Sequence, residues 1–271
     1  MQKMGFIKSD ADPNLYYLRV GDESLILVLY VDDLFLTRSS KLIKDCKENL
    51  ATEFDMKDLG QMHYFLGLEV WQQKGEIFLG QGRYTTKILK SFQMDYYRPM
   101  ATPMITNWKK IDTSEDDDTD PTLYRQLIGS LMYLVNTRPD TCYAVNTLSQ
   151  FMVEPRRAHW AAAKHILRYL RGIVKYGLRY TKGNEIQLSG FTDADWAGST
   201  VDRKSTSGYC FSLGSGMTSW CSKKQKSVAL TSTEAEYMAA STTSCEAIWL
   251  RKLLVNLLKK QIEPTGIMCD N

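Results

Sequence analysis

The hydrophobic pattern of this chain changes period several times, and each change predicts an element. Residues 25–31, LILVLYV, form an unbroken apolar run that meets Asp32 and Asp33, after which Leu34-Phe35-Leu36 is apolar again. A short apolar run, a turn and an apolar return predict a β-hairpin over 24–37. SSKLIKDCKENLATEF then places Leu42, Ile43, Cys46 and Leu50 on one helical face, with Ser39 or Ser40 as N-cap. YFLGLEVWQQKGEIFLGQG predicts a second hairpin turning at Gln73-Lys74-Gly75. YTTKILKSFQM predicts a short helix that ends before Pro99.

Further on, LYRQLIGSLMYLVNTR and a region from about Asp140 to Arg171 are helical in pattern. Trp160, Ala163, Leu167, Leu170 and Val174 recur at three- and four-residue spacing and form a core stripe. From Ile186 the period shortens: IQLSGFTDADWAG, STSGYCFSLG and MTSWCSKKQ are strand-like segments split by Gly and Ser turns. A long helix follows from Thr233 to about Lys259, where Thr233 and Glu236 have the spacing of a capping box. TGIMCDN predicts one more strand. Three strands, a helix and a strand make an α/β unit, so a boundary is expected near residue 182.

Charge changes this picture locally. The 271 residues carry a net charge of only +3, so a nucleic-acid footprint would have to come from clustering. Residues 151–180 hold seven basic side chains against the single acid Glu154. Within them Lys164, Arg168, Arg171 and Lys175 repeat along a helical face, a pattern suited to phosphate contact or to simple solvation. Lys223, Lys224 and Lys226 form a second basic group. IDTSEDDDTDP packs six acids between Asp112 and Asp120 and is expected to be a solvated linker. The seven-residue apolar run is far short of the roughly 20 that a membrane helix needs. The first residues lack a signal-peptide pattern, and six scattered cysteines without a C-x-x-C pair suit reduced thiols. The expectation is an intracellular protein, cytoplasmic or nuclear and not secreted, with no membrane partner.

The acids carry the candidate chemistry. Adjacent carboxylates such as Asp32-Asp33 repel unless water or a cation separates them. Magnesium takes carboxylate oxygens and completes its shell with water and phosphate. A hydrated turn accounts for the same pair equally simply.

Longer motifs decide between these readings. YVDD, residues 30–33, on a hairpin resembles the catalytic signature of reverse transcriptases. FDMKDLGQMHYFLGLEV, YRQLIGSLMYLVNTRPD and HWAAAKHILRYLRG follow in the order found in copia-type retrotransposon Pol polyproteins. GFTDADWAGSTVDRKSTSGYCFSLG, SWCSKKQKSVALTSTEAEYMA and CDN are similar to the ribonuclease H domain of that family. The resemblance runs over essentially the whole chain.

That resemblance implies an α+β chain in three parts. Residues 1–105 would be the C-terminal part of a reverse-transcriptase palm bearing the YVDD hairpin. Residues 106–181 would be an acidic linker and a helical thumb or connection. Residues 182–271 would be a ribonuclease H-like α/β domain lacking its C-terminal end. Asp32 and Asp33 would be the palm carboxylates, and FLGLEVWQQKGEIFLGQ the hairpin that grips the primer strand. Asp193, Glu234 and Asp270 match the ribonuclease H carboxylates, with Glu236 left as a capping residue. Each acidic site would hold two Mg²⁺ ions, or Mn²⁺ in their place, against a phosphodiester. The implied partners are an RNA–DNA hybrid, a template-primer duplex and other parts of the same polyprotein. Lys164, Arg168, Arg171, Lys175, Lys223, Lys224 and Lys226 would contact nucleic acid. The family's third palm aspartate has no match ahead of Leu25, and its fourth ribonuclease H carboxylate has none before Asn271. The polymerase is therefore expected to be incomplete in this chain and the nuclease impaired. A non-catalytic nucleic-acid-binding remnant, or a decayed fragment of the element, is the alternative.

Overall fold

The computed structural model describes residues 1–105, 119–183, 186–199, 201–258 and 263–269. Its contacts gather into two compact units, Met1–Gln61 with Ser244–Thr265, and Met62–Thr243 with Gly266–Asn271. This grouping follows contacts, whereas the three segments expected from the sequence follow motif order.

In the first unit, β1 (Ile7–Lys8), β2 (Leu15–Val20), β3 (Glu23–Tyr30) and β4 (Asp33–Arg38) form an antiparallel sheet in that order. The expected hairpin is β3–β4. The lead-in before it, polar in composition, supplies two further strands because β3 offers β2 a long apolar partner. α1 (Ser40–Glu53) packs on the sheet, and Ser39 caps it by accepting from the Leu42 amide at 3.4 Å. Leu42, Cys46 and Leu50 bury against Phe6, Leu25 and Leu27, so the stripe read at four-residue spacing is the one that packs. Burial also pushes the Cys46 thiol above its usual pKa.

The second unit holds two sheets and a helical cluster. β5 (Tyr64–Phe65), β6 (Leu68–Gln73), β7 (Glu76–Gly80) and β8 (Gly177–Thr181) form an antiparallel sheet. Its β6–β7 hairpin is the predicted one. The local pattern does not predict β8, because its strand character comes from pairing with β7, from which α2 and the helices that follow separate it in sequence. α2 (Gly82–Ser91) ends at Phe92, short of Pro99, and Gln93 just beyond has φ 55°. The residues that follow leave the helix to lie against α5.

α3 (Pro121–Leu134), α4 (Cys142–Ser149) and α5 (Arg157–Gly172) complete the cluster. Tyr124, Leu127, Ile128, Leu131, Ala163, Leu167 and Leu170 are fully buried there, with Trp160 and Val174 at the margin. The last acid of the acidic run, Asp120, caps α3 by accepting from the Thr122 amide at 2.8 Å. Most of that run lies outside the described residues.

The other sheet has the order β11-β10-β9-β12, from β9 (Leu188–Asp195), β10 (Thr206–Leu213), β11 (Gly216–Lys224) and β12 (Gly266–Met268). β9, β10 and β11 are antiparallel neighbours, and β12 runs parallel to β9. α6 (Ser232–Leu258) joins β11 to β12 in sequence and lies within the crossover that lets β12 run parallel to β9. No helix among the described residues is long and apolar enough to cross a membrane.

Candidate functional site

Two acidic sites follow from this architecture, one in each unit. The first sits at the end of the β3–β4 hairpin. Tyr30 pairs with Asp33, so Val31 and Asp32 form a two-residue turn. Val31 takes φ 50° at the first turn position and is 79% exposed. Two-residue hairpins need a positive φ there, normally from Gly or Asn; a β-branched residue in its place is strained. Asp32 and Asp33 are both exposed at this tip. The neighbouring Leu25 and Leu27 are completely buried. The core anchors the hairpin and leaves its acids in water.

The second site is assembled from β9, the start of α6 and the end of β12. Along β9, Thr192 and Ala194 are buried while Asp193 between them is exposed. Strand alternation therefore turns Asp193 to the face opposite Thr192 and Ala194. Ala194 packs with Ala229, Ala235 and Ala239, small residues that let α6 approach the sheet closely. Thr243 donates to the Thr192 hydroxyl at 2.8 Å and fixes the helix along the strand.

The beginning of α6 departs from the expected capping. Thr231, not Thr233, is the N-cap: its hydroxyl accepts from the Glu234 amide at 3.1 Å. The Glu234 carboxylate turns back to accept from the Leu230 amide at 2.6 Å. The cap therefore lies two residues earlier than the sequence spacing suggested, and Glu234 belongs to it. Glu236 is freed to face the sheet, where it is buried. Its Oε1 accepts from the Ala194 amide, next to Asp193, at 3.3 Å. Its Oε2 accepts from the Cys269 thiol, 3.8 Å away at the end of β12. In the sequence alone Glu236 has the place of a capping partner, because Thr-x-x-Glu spacing occurs twice here, at 231–234 and at 233–236. The signal that distinguishes them is its spacing from Ala235 and Ala239, which bury the adjacent helix face.

Asp270 lies outside the described residues. Met268 is in register with Phe191, which brings β12 up to the same end of β9. Asp195 is spent on the sheet, accepting from the Thr206 amide. Among the described residues no three or more His, Cys, Asp or Glu side chains gather tightly enough to hold a metal ion. Asp193 on β9 and Glu236 on α6 are carboxylates on neighbouring elements, the hard oxygen donors that Mg²⁺ takes; Glu236 meets the strand at the Ala194 amide, whereas Asp193 points from its other face.

The basic residues have mixed fates. Arg168 Nε donates to the Arg98 carbonyl at 2.9 Å and Arg171 Nε to the Asp95 carbonyl at 2.6 Å. These two arginines thus clamp the segment after α2 onto α5. Lys164 lies over the Trp160 ring at 5.1 Å, whereas Lys175 is exposed. Lys224 pairs with Asp202 at 2.8 Å, and that bond, aided by Ser199, pulls the Asp202 carboxyl down to about 2. Lys223 and Lys226 are exposed.

Comparison with known proteins agrees with the motif order. The family described as reverse transcriptase (RNA-dependent DNA polymerase) matches residues 1–106. The retrovirus-related Pol polyprotein from transposon RE2 of Arabidopsis thaliana is 43% identical over 269 residues, 99% of this chain and 18% of that polyprotein. An uncharacterized mitochondrial protein of Arabidopsis thaliana is 40% identical over 226 residues, 83% of this chain and 94% of its own length. A putative transposon Ty5-1 protein of Saccharomyces cerevisiae is 34% identical over 250 residues, 91% of this chain and 81% of that protein. The chain spans less than a fifth of the polyprotein it matches from end to end.

Proposed function

Because this chain belongs to the reverse-transcriptase family of copia-type retrotransposon Pol polyproteins, we propose that its second acidic site cleaves RNA in RNA–DNA hybrids. In this reading residues 1–105 carry the palm hairpin with Asp32 and Asp33, and residues 106–181 a thumb or connection. Residues 182–271 form a ribonuclease H-like unit. One observation carries the nuclease assignment: the Glu236 carboxylate reaches the main chain beside Asp193 and the end of β12 together.

We place Glu236, rather than Glu234, with Asp193 and Asp270 as the residues that would hold Mg²⁺. The ion would supply activation of water and charge for the phosphodiester. The protein's own part is to keep the acids aligned. The Ala194 amide and the Cys269 thiol orient the Glu236 carboxylate as hydrogen-bond donors. Exposed Lys223 and Lys226 lie on and just after the edge strand β11, where a nucleic-acid backbone can reach them. At the hairpin, Asp32 and Asp33 are proposed as the polymerase-type doublet, with Mg²⁺ or Mn²⁺ as partner.

The test is cleavage of a labelled RNA–DNA hybrid in Mg²⁺ by the parent chain and three variants. Asp193→Asn and Glu236→Gln are expected to lose about 100-fold or more, a loss on the scale of disturbed metal sites. Glu234→Gln keeps a cap acceptor and is expected to cleave like the parent. Equal background in all four would abandon the nuclease in favour of a non-catalytic nucleic-acid-binding chain.

A further inference from the structure

Gln225 stands one residue beyond β11 and is only 8% exposed. Its main chain is tied down, because its amide donates to the Ser205 carbonyl at 2.8 Å. Ser205 is itself fully buried, and its hydroxyl accepts from the Ala197 amide at 2.9 Å. The glutamine side chain therefore starts from a fixed root. From there its Nε2 donates to the Ser207 hydroxyl on β10 at 2.9 Å and to the Ala235 carbonyl in α6 at 2.9 Å.

These two acceptors flank the Glu236 contact. Ser207 is in register with Ala194 across β10 and β9. Ala235 precedes Glu236, whose Oε1 accepts from the Ala194 amide. Gln225 thus closes a ring. Register joins Ser207 to Ala194, a hydrogen bond joins Ala194 to Glu236, the chain joins Glu236 to Ala235, and one amide group joins Ala235 back to Ser207.

The other contacts at this place leave that task open. Alanine packing selects the face of α6 that meets the sheet, but apolar contact is non-directional and tolerates small rolls and slides. The cap formed by Thr231 and Glu234 closes the first turn on itself and does not reach the strands. A hydrogen bond is directional, so the Gln225 amide can hold the helix start at one rotation.

The other polar atom of the side chain, Oε1, is buried and accepts no hydrogen bond among the described residues. A buried carbonyl oxygen in that condition costs stability. An apolar side chain of similar length would avoid the cost, so packing alone does not account for a glutamine here. What the glutamine supplies is a pair of donors aimed at a strand and a helix.

We infer that Gln225 is a positioning residue for Glu236: it locks the first turn of α6 to β10, so that the Glu236 carboxylate stays on the Ala194 amide beside Asp193. Its effect on cleavage rests on the nuclease reading above, whereas its hold on Glu236 does not.

Gln225→Met keeps the length of the side chain and removes both donors together with the buried oxygen. Amide hydrogen exchange of the metal-free chain should show Ala194 exchanging about tenfold faster, the scale of one hydrogen bond to a carboxylate, while amides elsewhere on β9 change little. In the hybrid-cleavage assay kcat should fall about tenfold with KM for the hybrid nearly unchanged. Ser207→Ala cuts only the strand end of the clamp and should move both readouts the same way, by less. In a Glu236→Ala background Gln225→Met should add nothing to exchange at Ala194, since the acceptor it positions is gone. Unchanged Ala194 exchange in Gln225→Met overturns the proposal. So does acceleration spread evenly along β9, or the same acceleration in the Glu236→Ala background, because each marks a residue that only supports the fold. Should the parent chain cleave nothing, the nuclease reading fails, and the exchange results still decide the role of Gln225.

Discussion

Asp32 and Asp33 are neighbours in the chain and reach water together at a hairpin tip. Asp193 and Glu236 come from a strand and a helix far apart in sequence, and Glu236 is buried where its carboxylate meets the Ala194 amide beside Asp193. The first arrangement needs only a two-residue turn and an apolar β3–β4 ladder beneath it. The second needs α6 to lie close on β9, which depends on Ala194, Ala235 and Ala239 being small. It needs Thr243 to meet Thr192, and the cap to start at Thr231. Remote changes should therefore damage the second site and spare the first.

The largest effect is expected at Gly190, below the second site on β9. A Cβ there would stand 2.4 Å from the ring of Phe211, which is fully buried. Gly190→Ala should destabilise the second unit by about 1–3 kcal/mol, the usual cost of overpacking. Denaturant unfolding monitored by tryptophan fluorescence would measure it, and a silent substitution would show that β9 is looser than its packing indicates.

Glu236→Ala comes next. It leaves the Ala194 amide without its carboxylate acceptor and should cost about 1–3 kcal/mol. Amide exchange at Ala194 should accelerate with it. Glu236→Gln retains an acceptor, so most of the stability should return while the charge is gone. That pair of variants separates the structural part of the residue from its proposed chemistry.

Removing the cap is smaller and more local. Thr231→Ala should cost about 1 kcal/mol and fray the first turn of α6, whereas Thr233→Ala, outside the cap, should do little. Equal losses would put the helix start back where the sequence spacing placed it.

The smallest change belongs to the hairpin, and its sign is reversed. Val31 at φ 50° is mostly in solvent. Glycine relieves a left-handed strain of about 1–2 kcal/mol for a branched residue and gives part of that back as unfolded-chain entropy. Val31→Gly should therefore stabilise the first unit by up to about 1 kcal/mol. A rise in the unfolding midpoint without a change in the second unit would show the independence of the two sites.

Much of this fold was legible in the residues. The β3–β4 and β6–β7 hairpins, the α1 stripe and the α5 stripe follow from spacing alone, because each buries a face whose period is set locally. The order of three strands, a helix and a strand in the last part was legible for the same reason. β2 and β8 were not, since LYYLRV and GLRYT become strands by pairing with β3 and β7 rather than by pattern. By pattern the arginines of α5 form a solvated or phosphate-facing row. Two of them instead hold main-chain carbonyls of a segment that α2 leaves behind.

The sequence by itself determined which residue types are present and which local elements they form: an exposed acid doublet on a hairpin, an acid within an apolar strand, and two Thr-x-x-Glu spacings at a helix start. Only the tertiary structure decided which glutamate caps and which one faces the sheet. The reason is physical: both spacings satisfy a capping box equally well in isolation. The choice falls to the alanine contacts of α6 and β9, which set the rotation of the helix and so point Glu236 inward.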